Sequence, residues 1–362
     1  MWSDSLVLWL TEQKGVRRKH LAALLAAYPT EADLQEADAE TWAELGLPAA
    51  LFRILHDGTL AERAEARYYQ LMDADIRYLS LFHPDYPALL KEIYDPPLGI
   101  YLRGHLPPED KPRVAIVGSR RCTERAEAAT HRLAKELAEN GVVVVGGMAR
   151  GIDSAGHAGC LDGGGETMAV LGCGVNVCYP PENHRLLERI LQNGCVLSEY
   201  PPDTRVQKSY FPERNRIIAG LCPVTVVAEA AEKSGAFHTV NEALSNGREV
   251  MAVPGPIYDP ACEGSNRLLS EGAGLVLGAA DILAVLGVTP LAPHKPVEKP
   301  SEPELESTEQ MVYDGIGTDP VTLDALLTRT GCAIESLQFA LTMLEMKGYI
   351  RQLPGTRYIR VK

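Results

Sequence analysis

Val114-Ala115-Ile116-Val117-Gly118-Ser119-Arg120 is the stretch that decides the fold of this chain. Its first four residues predict a short, fully buried strand, and Gly118-Ser119 predicts a tight turn at the end of that strand. A helix that Thr123 can cap follows, and Val142–Val145 predicts a second buried strand. In such a β-α-β unit, backbone N–H groups at the end of the first strand attract anions. Arg120 stands at this point, where it either binds a phosphate or only solvates the start of the helix.

Strand and helix patterns alternate from this unit onward. Further strands are predicted at Thr167–Leu171, Cys195–Ser198, Val224–Ala228, Glu249–Val253 and Leu275–Leu277, and helices at Ser154–Leu161, Glu182–Gln192, Arg214–Leu221, Ala236–Ser245, Gly264–Ser270 and Asp281–Leu286. This alternation predicts an α/β fold with a parallel sheet that is covered on both faces. Upstream, Ile76–Leu79 and Gly99–Leu102 predict edge strands that extend the same sheet.

The overall composition limits the classes of protein that the chain can belong to. Its 362 residues suit two or three domains of about 150 residues each. No apolar run reaches the roughly 18 residues of a membrane span, and the opening MWSDSLVLWL lacks the basic start of a signal peptide. The eight cysteines form no C-x-x-C pair, which disfavours zinc and favours reduced thiols in a cytoplasmic protein. A net charge of −13 argues against nucleic-acid binding through bulk charge, so any such site must rest on particular residues.

Four parts are predicted along the chain. They are a helical module at residues 1–71, the α/β domain at 72–287, a proline-rich linker at 288–307 and a last domain at 308–362. Within the first part, Glu44–Pro48 is similar to a helix-hairpin-helix turn, but plain helical packing explains it better because no basic run flanks it. In the last part, helical patterns followed by a hairpin around Pro354-Gly355 predict a winged helix. Its balanced charge favours protein contact or weak DNA binding over tight duplex binding.

Known cofactor motifs are missing from the α/β domain. The chain has neither G-x-G-x-x-G after the first strand nor G-x-x-x-x-G-K-[ST], which disfavours NAD and ATP sites, and we predict no cofactor. After the second strand, Gly151 would let the backbone approach a ligand, and Asp153 or Ser154 would cap the next helix. His157 could be a general base, but no nucleophile is evident nearby, and a core histidine is the favoured interpretation.

The segment KSYFPERNRIIAG, residues 208–220, combines cations with aromatic rings. Lys208, Arg214 and Arg216 could hold phosphates while Phe211 stacks on a base, a pattern that suits single-stranded nucleic acid. The alternative is an exposed loop with a core phenylalanine. The prolines of Tyr200-Pro201-Pro202 are expected to keep this segment extended, which favours a binding surface.

One rim of the sheet collects the polar residues that follow the predicted strands. Lys233-Ser234-Gly235 forms another turn that can receive an anion. Because the carboxyl ends of parallel strands share an edge, these side chains should converge where α/β sheets bind ligands. The residues expected there are Ser119, Arg120, Arg150, Lys208, Ser234 and Gly235.

Eight short motifs follow one another along the chain in an order that is typical of one protein family. The runs are VAIVGSR, ARGID followed by His157, AVLGCG, YPPEN, LSEYPP, FPERNRIIAGL, KSG and REVMAVPG. Together they resemble the DNA-processing protein A family (DprA, also called Smf) over about residues 76–287. The resemblance implies an extended Rossmann-like fold between an N-terminal SAM-like helical domain and a C-terminal winged-helix domain. Phe237-His238 departs from the family, where Leu-Ile is usual.

The function that this resemblance implies is not enzymatic. Family members are cytoplasmic homodimers that bind incoming single-stranded DNA during natural transformation, protect it and load the recombinase RecA. Carried onto this sequence, the resemblance implies a DNA pocket with Arg120 and Lys208 in it and with Phe211, Arg214 and Asn215 along its walls. With the rim residues, the expected DNA-binding set is Ser119, Arg120, Arg150, Lys208, Phe211, Arg214, Asn215, Ser234 and Gly235.

The rival interpretation is a nucleotide-processing enzyme similar to the Rossmann-like phosphoribohydrolases. Those enzymes carry a P-G-G-x-G-T-x-x-E motif. The chain has Gly163-Gly164-Gly165-Glu166-Thr167, but it lacks the preceding proline and the run stands ahead of a strand. This departure disfavours the enzyme.

Overall fold

A mostly parallel sheet organises the larger of two units, Met1–Pro290 and Leu291–Lys362. The computed structural model describes residues 2–361 except 14, 15, 17, 48, 57, 291–304, 306 and 318. Within these residues, nine strands form the sheet of the larger unit. They are β1 Arg77–Ser80, β2 Gly99–Gly104, β3 Arg113–Val117, β4 Val143–Gly146, β5 Thr167–Val170, β6 Gly194–Ser198, β7 Val224–Val227, β8 Glu249–Ala252 and β9 Gly274–Leu275.

The strand order explains where a ligand can bind. The order is β1-β2-β6-β5-β4-β3-β7-β8-β9, with β3 to β9 parallel to one another and β1 and β2 added antiparallel at one edge. This confirms the predicted parallel sheet and its edge extension. The chain builds outward from β3 to β6, returns to the other side of β3 and continues to β9, so β3 and β7 flank the point where the winding reverses. Crevices form at the carboxyl ends of strands at such a point.

Helices cover both faces of this sheet. The helices before β3 are α1 Asp4–Thr11, α2 Arg18–Ala27, α3 Glu31–Gln35, α4 Ala39–Glu44, α5 Ala49–Leu55, α6 Leu60–Asp73 and α7 Ala88–Lys91. After β3 they are α8 Glu124–Glu139, α9 Ile152–Asp162, α10 His184–Gln192, α11 Tyr210–Gly220, α12 Ala236–Ser245, α13 Glu263–Ser270 and α14 Ala279–Val285. Thr123 caps α8 as predicted, because its Oγ1 accepts the Ala126 N–H at 3.2 Å.

The segment around Phe211 differs from the prediction. It was expected to be extended up to Arg214, but α11 already begins at Tyr210. Pro212 does not prevent this, because the N–H groups of a helix's first turn have no partner within the helix. Phe211 and Arg214 therefore lie on consecutive helical turns and not on a loop.

The first helices pack on the edge of the sheet and share its core. Leu8 and Trp42 belong to the same apolar cluster as Tyr101, Leu171 and Val196 of the α/β domain. The boundary predicted near residue 71 thus runs through a continuous core. It stays a prediction from sequence, as do the other domain limits.

The smaller unit has the topology of a winged helix, as predicted. It contains α15 Ser307–Gly315, β10 Val321–Thr322, α16 Leu323–Thr330, α17 Ile334–Met346, β11 Ile350–Leu353 and β12 Arg357–Arg360. Its strands pair in the order β10-β12-β11, and Leu326, Leu337 and Leu344 are fully buried in its core. Along the residues that the structure describes, no helix of either unit is long and apolar enough to cross a bilayer.

Candidate functional site

A cleft of about 690 Å³ opens at the carboxyl ends of β3 and β7. Its walls are the turn after β3, the first turns of α11 and the loop from β7 into α12. Eight of the nine predicted site residues line it: Ser119, Arg120, Lys208, Phe211, Arg214, Asn215, Ser234 and Gly235. The fold thus brings together residues up to 116 positions apart in sequence, from Ser119 to Gly235.

The turn after β3 is wedged between two neighbouring loops. The Ser119 N–H donates to the carbonyl of Glu229 at 2.8 Å, and a Cβ on Gly118 would lie 2.8 Å from that same oxygen. On the other side, Gly151 has φ +71, and a Cβ there would lie 2.4 Å from the Ser119 carbonyl. Gly151 was expected to admit a ligand, but here it admits the turn itself. The tight packing holds exposed Arg120 at the mouth of the cleft.

The N-terminus of α8 already has an anion. Glu229, which is 1% exposed, accepts the Thr123 N–H at 3.0 Å and the Thr123 hydroxyl at 2.7 Å. A helix N-terminus after the first strand is where Rossmann folds bind a pyrophosphate. A carboxylate of the protein itself therefore occupies the N–H of the capping residue Thr123. The expectation that the N–H groups of this turn attract a ligand anion stays a prediction.

Arg120 and Phe211 contact each other at the centre of the site. The guanidinium carbon of Arg120 lies 4.9 Å from the centre of the Phe211 ring, and Tyr179 packs on that ring with centroids 5.7 Å apart. Gly172 makes room, since a Cβ there would lie 3.3 Å from the ring. A guanidinium held over a ring keeps its N–H groups in its own plane, where they can fork onto a phosphate.

Arg214 forms part of the floor of the cleft. It is 3% exposed and donates to the carbonyls of Gly147, at 2.9 Å, and of Val170. Burial lowers the pKa of Arg214 to about 10, while the negative charge of Asp153 opposes that shift. Arg214 lines the cleft as predicted, but its hydrogen bonds join α11 to the ends of β4 and β5.

Asp153 shapes the same floor from α9. It was expected to cap that helix, but its carboxylate accepts the N–H groups of Gly147, at 3.0 Å, and Ala149, at 3.3 Å, and so holds the loop before the helix. Burial raises the pKa of this carboxyl group, an effect that the charge of Arg214 counteracts. Among the described residues that line the cleft, Asp153 is the one carboxylate, and it is buried.

The three cations of the KSYFPERNR segment point to three different surroundings. Lys208 is exposed at the cleft, Arg214 is buried in its floor, and Arg216 lies on the other side of α11. There Arg216 pairs with Glu199 at 2.7 Å and with Asp95 at 3.4 Å, and Arg18 joins the same pair of carboxylates. The expectation that Arg216 faces a phosphate is wrong because helical spacing turns it away.

Arg150 lies outside the cleft-lining set. Its exposed guanidinium pairs with Glu182, which directs it toward the turn before α10. The cleft also includes residues that the predicted set omitted, among them Arg121, Tyr179, Lys233, His238 and Thr239. Arg121 and Lys233 adjoin predicted residues, and helical spacing from Gly235 points to His238 and Thr239. No local signal marks Tyr179.

The residues of the rival enzyme lie elsewhere. Glu166 stands at the amino end of β5, where it accepts hydrogen bonds from His105, at 2.9 Å, and from Lys111. That is the opposite edge of the sheet from the cleft. His157 is a core histidine, as predicted: it is fully buried, bonded to Thr167 at 2.6 Å, and burial lowers its pKa to about 3.

Taken together, the fold and the cleft define an extended Rossmann-type α/β protein with a winged-helix unit. The chain belongs to the DNA recombination-mediator protein A family, whose family model matches residues 77–287. The model for the DprA winged helix domain matches residues 296–356. This membership assigns the chain a role in DNA processing and recombination.

Individual relatives agree with this assignment. DNA processing protein DprA of Streptococcus pneumoniae is 42% identical over 60% of this chain and 79% of that protein, and Protein Smf of Synechocystis is 34% identical over 78% and 80%. The solved S. pneumoniae DprA structure is 34% identical, with TM-score 0.66 over 78% of this chain and 98% of its own. The Helicobacter pylori protein, described by its single-stranded DNA binding mode, is 31% identical, with TM-score 0.53 over 58% and 95%.

Proposed function

We propose that this protein binds single-stranded DNA in the cleft between β3, α11 and α12. The observation that carries the proposal is the contact of Arg120 with Phe211 inside a cleft whose exposed charges are all positive in the described residues, on a chain of net charge −13. A local cationic groove with an aromatic ring is the arrangement that holds single strands. The related H. pylori protein, described as binding single-stranded DNA, supports this proposal.

The phosphate contacts come from two sides of the cleft. Arg120 and Lys208 are exposed and can each meet a phosphate oxygen. In the same lining, Ser234 and Gly235 precede α12, a ten-residue helix whose start carries partial positive charge. Unlike the start of α8, this helix start lines the cleft.

We expect base contacts to give the cleft its preference for a single strand. Phe211 and Asn215 are four residues apart on α11, so both face the cleft, where the ring can stack and the amide can donate and accept. A base reaches the ring only when its own face is exposed, as in an unpaired strand. The proposed contact set leaves out Arg150 and Arg216, because both are engaged with carboxylates.

The cellular role extends this proposal. By resemblance to the family, the protein works in the cytoplasm as a homodimer, without enzymatic activity, protects incoming DNA during natural transformation and loads RecA onto it. An open cleft is suited to that role because the strand must later be handed over.

A binding titration tests the proposal. Fluorescence anisotropy with a labelled oligothymidylate and a labelled duplex should show a preference for the single strand in the full chain. Arg120→Ala should weaken single-strand binding about tenfold or more, as for the loss of a charged hydrogen bond of about 1.5–3 kcal/mol. Arg150→Ala is the matched control, since it removes the same charge outside the cleft, and should bind nearly as the parent does. Equal binding of both DNA forms, or equal effects of the two variants, would contradict the proposed site.

A further inference from the structure

An exposed apolar pair lies beside the cleft and has no part in the proposed site. Ile257 and Tyr258 are 75% and 92% exposed in the loop between β8 and α13. Because β8 pairs in parallel with β7, this loop leaves the sheet at the same edge as the cleft. Large apolar side chains side by side on a surface often mark a binding site.

This loop is held in a defined shape. Asn266 brackets Gly255, accepting its N–H at 3.0 Å and donating to its carbonyl at 3.1 Å. Asp259 closes the tip, since its N–H donates to Pro256 at 3.1 Å and its carboxylate accepts the Ala261 N–H at 3.0 Å. The exposed ring of Tyr258 therefore projects from an ordered turn.

The loop and the cleft share a wall. Asp259 lies 3.9 Å from Arg125, which stands in the first turn of α8, four residues after the cleft residue Arg121. Behind the loop, the N–H groups of Gly264 and Ser265 donate to the carbonyl of Ala230 at 2.8 and 3.1 Å, next to the cleft residue Ala231. The loop is therefore connected to the cleft through the start of α8 and through the segment after β7.

We propose that Tyr258, supported by Ile257, forms a second base-stacking site that extends the cleft for a longer DNA strand. This inference rests on the proposed function. The cations that line the adjoining cleft favour DNA over a protein partner, because cations next to exposed rings match a phosphate backbone with unpaired bases, and Arg125 offsets the charge of Asp259 in the loop. Arg121 holds the phosphate between the two rings, Phe211 stacks the first base, and Tyr258 stacks a later one.

The length dependence of binding tests this second site. In the full chain, oligothymidylates spanning roughly 4 to 16 nucleotides are titrated against the parent, Tyr258→Ala, Tyr258→Phe and Phe211→Ala. Phe211→Ala should weaken binding at every length. Tyr258→Ala should leave the shortest strand unaffected and weaken the longest about fivefold or more, in line with the loss of one stacked base. Tyr258→Phe keeps the ring and should bind as the parent does.

The outcomes separate the two proposals. If Tyr258→Ala matches the parent at all lengths while Phe211→Ala weakens binding, the second site is wrong and the cleft stands. If the parent binds no strand, the proposed function fails first. Leu244→Ala, which removes a 59% exposed apolar side chain at the far end of α12, is the control for general surface effects. A change of molecular mass in Tyr258→Ala, without a change in DNA binding, would assign the loop to a protein contact and overturn the proposal.

Discussion

Arg120 is positioned before any ligand arrives. Its guanidinium lies over Phe211 at 4.9 Å, and Tyr179 packs on the same ring with centroids 5.7 Å apart. A side chain that is already oriented loses less conformational freedom on binding, so more of its interaction energy appears as affinity. At the scale of single residues, Arg120 and Phe211 therefore form a preorganised pair of cation and ring within the cleft.

A second residue, the buried His157, makes the stability of the fold depend on pH. Burial, together with the positive charge of Arg214, lowers the pKa of His157 from 6.5 to about 3. The unfolded chain therefore binds a proton at this histidine that the folded chain excludes. The contribution of the neutral His157 to the free energy of unfolding is fully present above about pH 6.5 and is lost as the pH falls toward 3. His157→Gln removes this titration and keeps a polar group for Thr167.

We expect the parent to lose stability faster on acidification than this variant. The difference in their free energies of unfolding should change by about 1.4 kcal/mol per pH unit between roughly pH 6 and 4. Urea unfolding at a series of pH values measures it. Parallel curves for parent and variant would show that the histidine is not the titrating group.

At the scale of elements, α11 does most to shape the site. One of its faces presents Phe211, Asn215 and Ile218 to the cleft, and the other carries Arg216 to Glu199 and Asp95. Arg214 joins this helix to the strand ends by donating to the Gly147 and Val170 carbonyls. The position of the Phe211 ring thus depends on a contact deep beneath it.

Gly147 is the position where this contact can be tested. A Cβ there would lie 2.4 Å from the Arg214 guanidinium, so Gly147→Ala should displace Arg214 and destabilise the protein by about 1–3 kcal/mol, the usual range for overpacking. Gly278→Ala is the matched control, because its backbone is extended and no heavy atom lies within 4 Å of its Cβ. Thermal unfolding should show a lower midpoint for the first variant alone. Identical midpoints would mean that Arg214 moves away from the added methyl group without loss of stability.

At the scale of the whole molecule, charge is unevenly placed. The chain has a net charge of −13, yet the exposed charges that line the cleft in the described residues are Arg120, Arg121, Lys208 and Lys233. An acidic body repels a polyanion from most of its surface, so binding should be confined to the cleft and the loop proposed to extend it.

The salt dependence of binding measures how many of these cations meet phosphates. For single strands, log K falls with log salt by about 0.7 for each neutralised phosphate, so four contacts predict a slope of roughly −3. Arg120→Ala should reduce that slope by about 0.7. Arg185→Ala, on the exposed side of α10, is the control and should leave the slope unchanged. A slope near zero in the parent would refute the phosphate contacts.

The sequence by itself determined the alternation of strands and helices, the edge extension and the winged helix. These features follow from the periodicity of apolar residues, which is a local property of the chain. It also determined the rim on which the site lies, because parallel strands end at a common edge. The Gly118-Ser119-Arg120 turn and the Phe211 segment were recognisable for that reason.

Only the tertiary structure decided which cations face the cleft. Arg150 is drawn to Glu182, 32 positions away, and Arg216 to Asp95, 121 positions away. Glu229 occupies the N-terminus of α8 from 106 positions beyond Thr123. The physical reason is the same in each case: a charged side chain is directed by the partner that folding brings to it, and neighbours in the sequence do not reveal that partner.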